Sequence, residues 1–158
     1  MEKEIILENR IKPHKIYADK AISVGTFLGG PLVGGFLAAE NFRAFGERAK
    51  IWRTWAFAVI ATIMLFGGAF FIPQLVKIPN MVFPVIIAWI TFFLVRYAQG
   101  EKIDTHIRTG GKIYSWWRVV GISLLGAIIT ITLLFGVAVF ERDFSGKAAN
   151  KAYENQRQ

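Results

Sequence analysis

Four stretches of this chain, residues 21–39, 54–72, 78–95 and 119–140, contain no Asp, Glu, Lys, Arg or His. Each approaches the roughly 20 apolar residues needed to cross about 30 Å of hydrocarbon. A bilayer core supplies no water to backbone N–H and C=O groups, so a segment placed there must satisfy them within itself, as a helix does. With 54% hydrophobic residues overall and a positive mean hydropathy, the expected fold is all-α, a small polytopic helical membrane protein.

The polar residues are left to two tails and three loops, the longest of them residues 96–118. Pieces of that size cannot bury a core of their own. The reading is therefore one membrane domain over residues 1–158, with polar tails at 1–19 and 141–158 and no separate soluble catalytic domain. The chain has no cysteine, which excludes disulfides, thiolate metal sites and cysteine nucleophiles and leaves the compartment open. A formal charge of +8 could indicate nucleic acid, but nearly all Lys and Arg flank the apolar runs, where they orient a membrane protein and meet anionic lipid. No nucleic-acid partner is expected. The first apolar run follows a mixed-charge stretch of 20 residues, and "GFLAAE" lacks a small-x-small cleavage pattern, so it reads as retained rather than as a signal peptide.

Three of the runs read as full spans, at about 54–72, 78–97 and 117–140. The first begins behind Arg48, Lys50 and Arg53 with Trp52 and Trp55 at headgroup level; the third begins behind Trp116, Trp117 and Arg118, so both starts belong at one membrane surface. "PQLVKIPN" is a tight connection between the first two, Pro84 marks an expected bend, and Asp19 is placed to cap the helix that opens the first apolar run. "ENFRAFGERAKIWRTW" interleaves Arg43, Arg48, Lys50 and Arg53 with aromatic rings, the pattern of a linker lying flat on an anionic leaflet.

The remaining run, within about 20–45, admits two readings. Gly25, Gly29, Gly30, Gly34 and Gly35 surround Pro31, and fourfold spacing of the glycines suits a kinked fourth span packed through small-xxx-small contacts. The same residues suit a re-entrant hairpin: residues 20–29 make about 15 Å of helix, half the hydrocarbon, before "GGP" reverses the chain. Charge separates the two. Four spans divide the Lys and Arg residues 9 against 10, whereas a hairpin puts 14 on one side and 5 on the other. Only the hairpin obeys the positive-inside rule, and its bare turn then needs protein or trapped water around it.

The stretch "GTFLGGPLVGGFLAAENFRAFG", echoed by "HIRTGGK", resembles the opening of a group of short, uncharacterised bacterial multi-pass membrane proteins; Val33 stands where that pattern often has Ala. The resemblance covers 30 to 40 residues and implies a bacterial cytoplasmic (inner) membrane location, with no activity to carry over.

Residues with chemical potential are sparse. Within the apolar runs the polar side chains are Ser23, Thr26, Thr62, Thr91, Ser123, Thr130 and Thr132, hydroxyls that suit helix packing, and no ionisable group is present for a proton or ion relay. Glu101, Asp104 and His106 meet around a metal only if their loop folds to bring them together, and they read as solvated, as does His14. No nucleophile triad, phosphate loop or HExxH helix is present. The expectation is a non-enzymatic accessory, scaffold or assembly subunit without cofactors, whose partners are the bilayer, anionic lipids at the inner surface and other membrane subunits or its own copies. The alternative is a small oligomeric channel or transporter using "GGPLVGG" as a broken helix.

Overall fold

The protein is described here by a computed structural model that covers residues 14–71 and 82–155. The N-terminal residues 1–13 and the "PQLVKIPN" connection with Pro73 and Pro79 lie outside the described residues. Five helices and no strand are found among them: α1 (Asp19–Gly29), α2 (Pro31–Ala44), α3 (Arg48–Phe71), α4 (Val82–Arg108) and α5 (Trp116–Asn155). Three have the length and apolar character to cross a membrane, over Arg48–Gly67, Val82–Arg108 and Trp116–Val137. The expected all-helical membrane architecture is the observed one.

The first apolar run is two helices folded back on each other. Gly30 sits between them at φ 81° and ψ −179°, a combination open essentially to glycine alone. Pro31 then occupies the first position of α2, where its missing N–H would have had no partner. The Gly30 N–H closes α1 on the Thr26 carbonyl at 2.8 Å, and the Gly30 carbonyl accepts from Val33 and Gly34 at 3.2 and 3.3 Å to open α2. Fold-back is settled by the far ends: the Asn41 side chain accepts from Tyr17 N–H at 2.7 Å and donates to Tyr17 O at 2.8 Å. In one continuous helix those residues, 24 positions apart, would stand about 36 Å from each other.

The hairpin is the hub of the molecule. α3 packs on α2, while α4 and α5 pack chiefly on α1. No two of α3, α4 and α5 bring Cα atoms within 8 Å of each other among the described residues. In lipid, helices associate through close packing and hydrogen bonds rather than through a hydrophobic driving force, and the glycines supply the close approach. A Cβ on Gly25 would lie 2.6 Å from Leu37 Cδ1, and one on Gly29 would lie 2.9 Å from the Ser123 carbonyl oxygen. Gly34 is pressed against Thr26, Gly35 against Ala58 of α3 and Gly126 of α5 against Val33.

Several boundaries differ from those expected, each for a local reason. Asp19 is the first residue of α1 rather than its cap; Ala18 caps without a side-chain bond. Pro84 falls in the first turn of α4, where proline breaks no hydrogen bond, so no bend is needed there. α4 continues past residue 97 to Arg108, taking up most of what reads as a loop. The aromatic and basic linker is the end of α2, a tight turn with Glu47 N–H on the Phe42 carbonyl at 2.8 Å, and the start of α3. α5 continues through residues 141–155 of the polar C-terminal tail. The last residues of the N-terminal polar tail are buried, Ile16 and Tyr17 among the least exposed in the chain.

Gly30→Ala meets no atom within 4 Å, so its effect isolates backbone strain. We expect it to lower unfolding stability in detergent by about 1–3 kcal/mol. Gly67→Ala, also in open space but within α3, should be neutral or slightly stabilising; thermal denaturation of the two variants checks the pair.

Candidate functional site

The open end of the hairpin, the start of α3, the end of α4 and the loop before α5 all meet at one end of the molecule. Residues 14–18 run beside that loop: Ile16 N–H donates to Lys112 O at 3.2 Å and Tyr114 N–H to Ile16 O at 2.8 Å. Tyr17 stacks on Tyr114 with centroids 4.4 Å apart, and Arg118 Nε donates to the Tyr17 hydroxyl at 3.0 Å while lying over the Tyr114 ring. Burial raises the Tyr17 hydroxyl above its ordinary pKa, against the pull of Arg118 in the other direction.

Two charge clusters tie the helices together at this end. Arg96 of α4 reaches both Asp19 and Asp104 at 3.0 Å, so the first residue of α1 is held to α4. Asp19 there also faces the positive end of the α1 dipole. Glu47, in the α2–α3 turn, takes Lys102 of α4 at 2.7 Å and Lys50 of α3 at 2.9 Å. Hydrogen bonds from Lys102 and then Lys50 hold the Glu47 carboxyl below the usual carboxylate range. Arg43 pairs with Glu40 one turn back on α2.

Inside the helices, hydroxyls and one amide complete the packing. Ser23 donates to the Ala88 carbonyl at 2.8 Å, joining α1 to α4. Ser123 donates to Val119 O at 2.8 Å within α5 and to Gly25 O at 3.3 Å across to α1. Gln99, 2% exposed, directs Nε2 to the Ala38 carbonyl at 3.0 Å, an orientation forced because only the amide nitrogen donates. Its Oε1 is left without a partner, as is Glu47 Oε2. A buried oxygen in that state costs about 1–3 kcal/mol.

Two cavities flank the hairpin. One, of about 370 Å³, lies over its tip and is lined by Gly29, Gly30 and Pro31 together with residues of α3, α4 and α5, including Phe66, Pro84 and Thr130. The other, of about 510 Å³, is a groove between α3 and α4 whose floor is α2, at Gly34, Gly35 and Ala38. No group of three or more metal-ligating side chains forms among the described residues. Glu101, Asp104 and His106 do not converge on one point: Asp104 faces Arg96, and His106 Nε2 lies 3.2 Å from the Lys112 carbonyl.

The glycines and proline singled out in the sequence, Gly25, Gly29, Gly30, Pro31, Gly34 and Gly35, come together as the hairpin and its contacts. Of the basic and aromatic anchors, Trp52 and Trp117 stand out from the protein at 78% and 84% exposure, Trp116 is exposed, and Trp55 turns its edge to Phe36. Arg48 and Arg53 are exposed and meet no acidic partner among the described residues.

Three long apolar helices around a folded-back helix pair define a multi-pass helical membrane protein. Comparison of the chain with models of known families, with curated proteins and with solved structures finds no match. Its site therefore has to be read from its own geometry. Tyr17, Asn41, Glu47 and Gln99 went unnoticed in the sequence. A signal was present for one pair: Tyr17 and Asn41 lie equally far on either side of Gly29, so any reversal at "GGP" sets them level.

Asn41→Asp keeps the acceptor for Tyr17 N–H and loses the donor to Tyr17 O, while Asn41→Ala orphans both. We expect each variant to be less stable than the native chain, the alanine variant by about 1–3 kcal/mol, in detergent unfolding. The Glu47 cluster carries a pH dependence of fixed sign: a carboxyl with a depressed folded pKa adds stability above its unfolded value, near 4.3, that is lost as pH falls through the folded value. Unfolding curves between pH 7 and pH 3 should show that loss in the native chain and a weaker one in Glu47→Gln.

Proposed function

We propose that this chain is a non-enzymatic accessory or assembly subunit of a bacterial cytoplasmic membrane, built on a hairpin that re-enters the bilayer from the cytoplasmic side. The orientation rests on charge. With the hairpin returning to its own side, that side carries 14 of the 19 Lys and Arg residues. The arms of the hairpin, 11 and 14 residues long, reach about 16 and 21 Å, enough to bring the tip near mid-membrane.

The observation that carries the assembly role is α5. It is 40 residues long, about 60 Å, twice the hydrocarbon thickness. Among the described residues the helices it packs on are those of the hairpin alone, through Ser123 and Gly126, with Arg118 reaching Tyr17 just before α1. Beyond those contacts, Phe135 and Phe140 are each 72% exposed and Gly136 has open space where a side chain would stand. Small residues at an open face let another backbone approach closely in lipid. A helix continuing past the bilayer without neighbours gains its stability from packing against something else. The partner is a second copy or a helix of a larger complex.

The alternative is a small channel or transporter. It is favoured by the broken helix at the tip, which borders the cavity of about 370 Å³. Against it, that cavity is walled mainly by Phe, Leu, Ile and Pro with Thr26 and Thr130 as its side-chain hydroxyls, which offers a charged solute little. Flux of ions or small solutes through vesicles holding the pure protein would establish this second reading.

Two measurements test the assembly proposal. Lys15→Cys should resist an impermeant thiol reagent on intact cells, and Ser145→Cys should label. Gly136→Cys, treated with a short bifunctional maleimide in membranes, should cross-link to protein. A lone 17.8 kDa species in membranes and in every gentle detergent would refute the role.

A further inference from the structure

We infer that the groove between α3 and α4 is a binding site for one anionic glycerophospholipid, of the phosphatidylglycerol type, with an acyl chain along the groove and the headgroup at Lys50 and Arg53. This goes beyond the assembly role and does not depend on it.

The groove exists because α3 and α4 both pack against the hairpin and not against each other. Its floor is backbone covered by little: Gly34, Gly35 and Ala38 of α2, with Ala58 and Ala61 of α3 beside them. The volume of about 510 Å³ is the larger of the two cavities that border the hairpin. Polarity changes along the groove in one direction. Its deep end, at Ala61, Ile87 and Ile90, is apolar but for the neighbouring Thr91. Its other end, at the level of the open hairpin, holds Lys50, Arg53, Tyr97 and Gln99. That gradient is the one a lipid presents, hydrocarbon first and charged headgroup last.

Charge chooses among lipids. Glu47 is shared between Lys50 and Lys102, so those three groups keep a net positive charge, and Arg53 beside them has no acidic partner among the described residues. A phosphate that carries a full negative charge answers this excess, whereas a zwitterionic headgroup brings its own cation. Gln99, 2% exposed, closes the headgroup end of the groove with its Nε2 on Ala38 O, so the groups there that remain open to a headgroup are the exposed Lys50, Arg53 and Tyr97. A neighbouring helix seated in the same groove is a separate outcome of the test.

The test uses the whole protein in detergent, titrated with phosphatidylglycerol or phosphatidylcholine of equal chain length, read by thermal shift and by native mass spectrometry. Phosphatidylglycerol should bind in preference, with one tightly retained molecule per chain. Lys50→Gln with Arg53→Gln should weaken the preference by roughly thirtyfold, two interfacial charges' worth. Arg43→Gln with Arg48→Gln, which removes as much charge away from the groove, should leave it intact. Ala61→Leu, which fills the deep end, should reduce retention of both lipids while a folded thermal transition persists. Equal retention of the two lipids, or the same loss from both charge pairs, would overturn the site. So would cross-linking of Ala61→Cys to another protein in place of lipid.

Discussion

The structure depends on one constraint: backbone that reverses between apolar helices has to be surrounded by polypeptide, because hydrocarbon satisfies no N–H or C=O. Every long helix in this chain accordingly leans on the hairpin. α3 closes over α2 through Gly35 and Ala58, α5 closes over the tip through Gly126 and Ser123, and α4 holds α1 through Ser23. The reverse also holds. Among the described residues no two of the three long helices approach each other closely along their backbones, so what reads as a weak point is the element that assembles the rest.

The two half-helices suit that position. They lie antiparallel, so at the tip the negative end of the α1 dipole faces the positive end of the α2 dipole and the two largely cancel. Gly30 absorbs the reversal in a single residue, and Pro31 removes one of the donors that the start of α2 would otherwise leave bare. At the open end the Asn41 amide replaces water for both backbone polar groups of Tyr17. Polar work is thus placed at the two ends of the hairpin, and close glycine packing fills the length between.

All charged clusters described here fall at one end. Asp19, Arg96 and Asp104, and Glu47, Lys50 and Lys102, join elements that are far apart in sequence. The two clusters cancel in charge, so the excess of positive charge at this rim comes from other basic residues such as Arg48 and Arg53; with Trp52 and Trp117 standing clear of the protein, it is the arrangement expected where protein, headgroups and water meet. The groove between α3 and α4 opens toward that rim, and the proposed lipid site and the proposed orientation share Lys50 and Arg53.

Four uncharged runs already determined the class of the molecule, since no soluble arrangement accounts for them, and the glycines around Pro31 with the uneven distribution of Lys and Arg already favoured a reversal over a span. Those signals are local or additive, which is why one sequence carries them. What tertiary structure decided is everything that depends on which residues become neighbours. Asp104 reads as a solvated loop residue until α4 is seen to continue and set it beside Arg96. Gln99 and Asn41 read as ordinary polar residues until burial makes their hydrogen bonds obligatory. The gap between α3 and α4 has no local signature at all, because it follows from both helices choosing the same third partner.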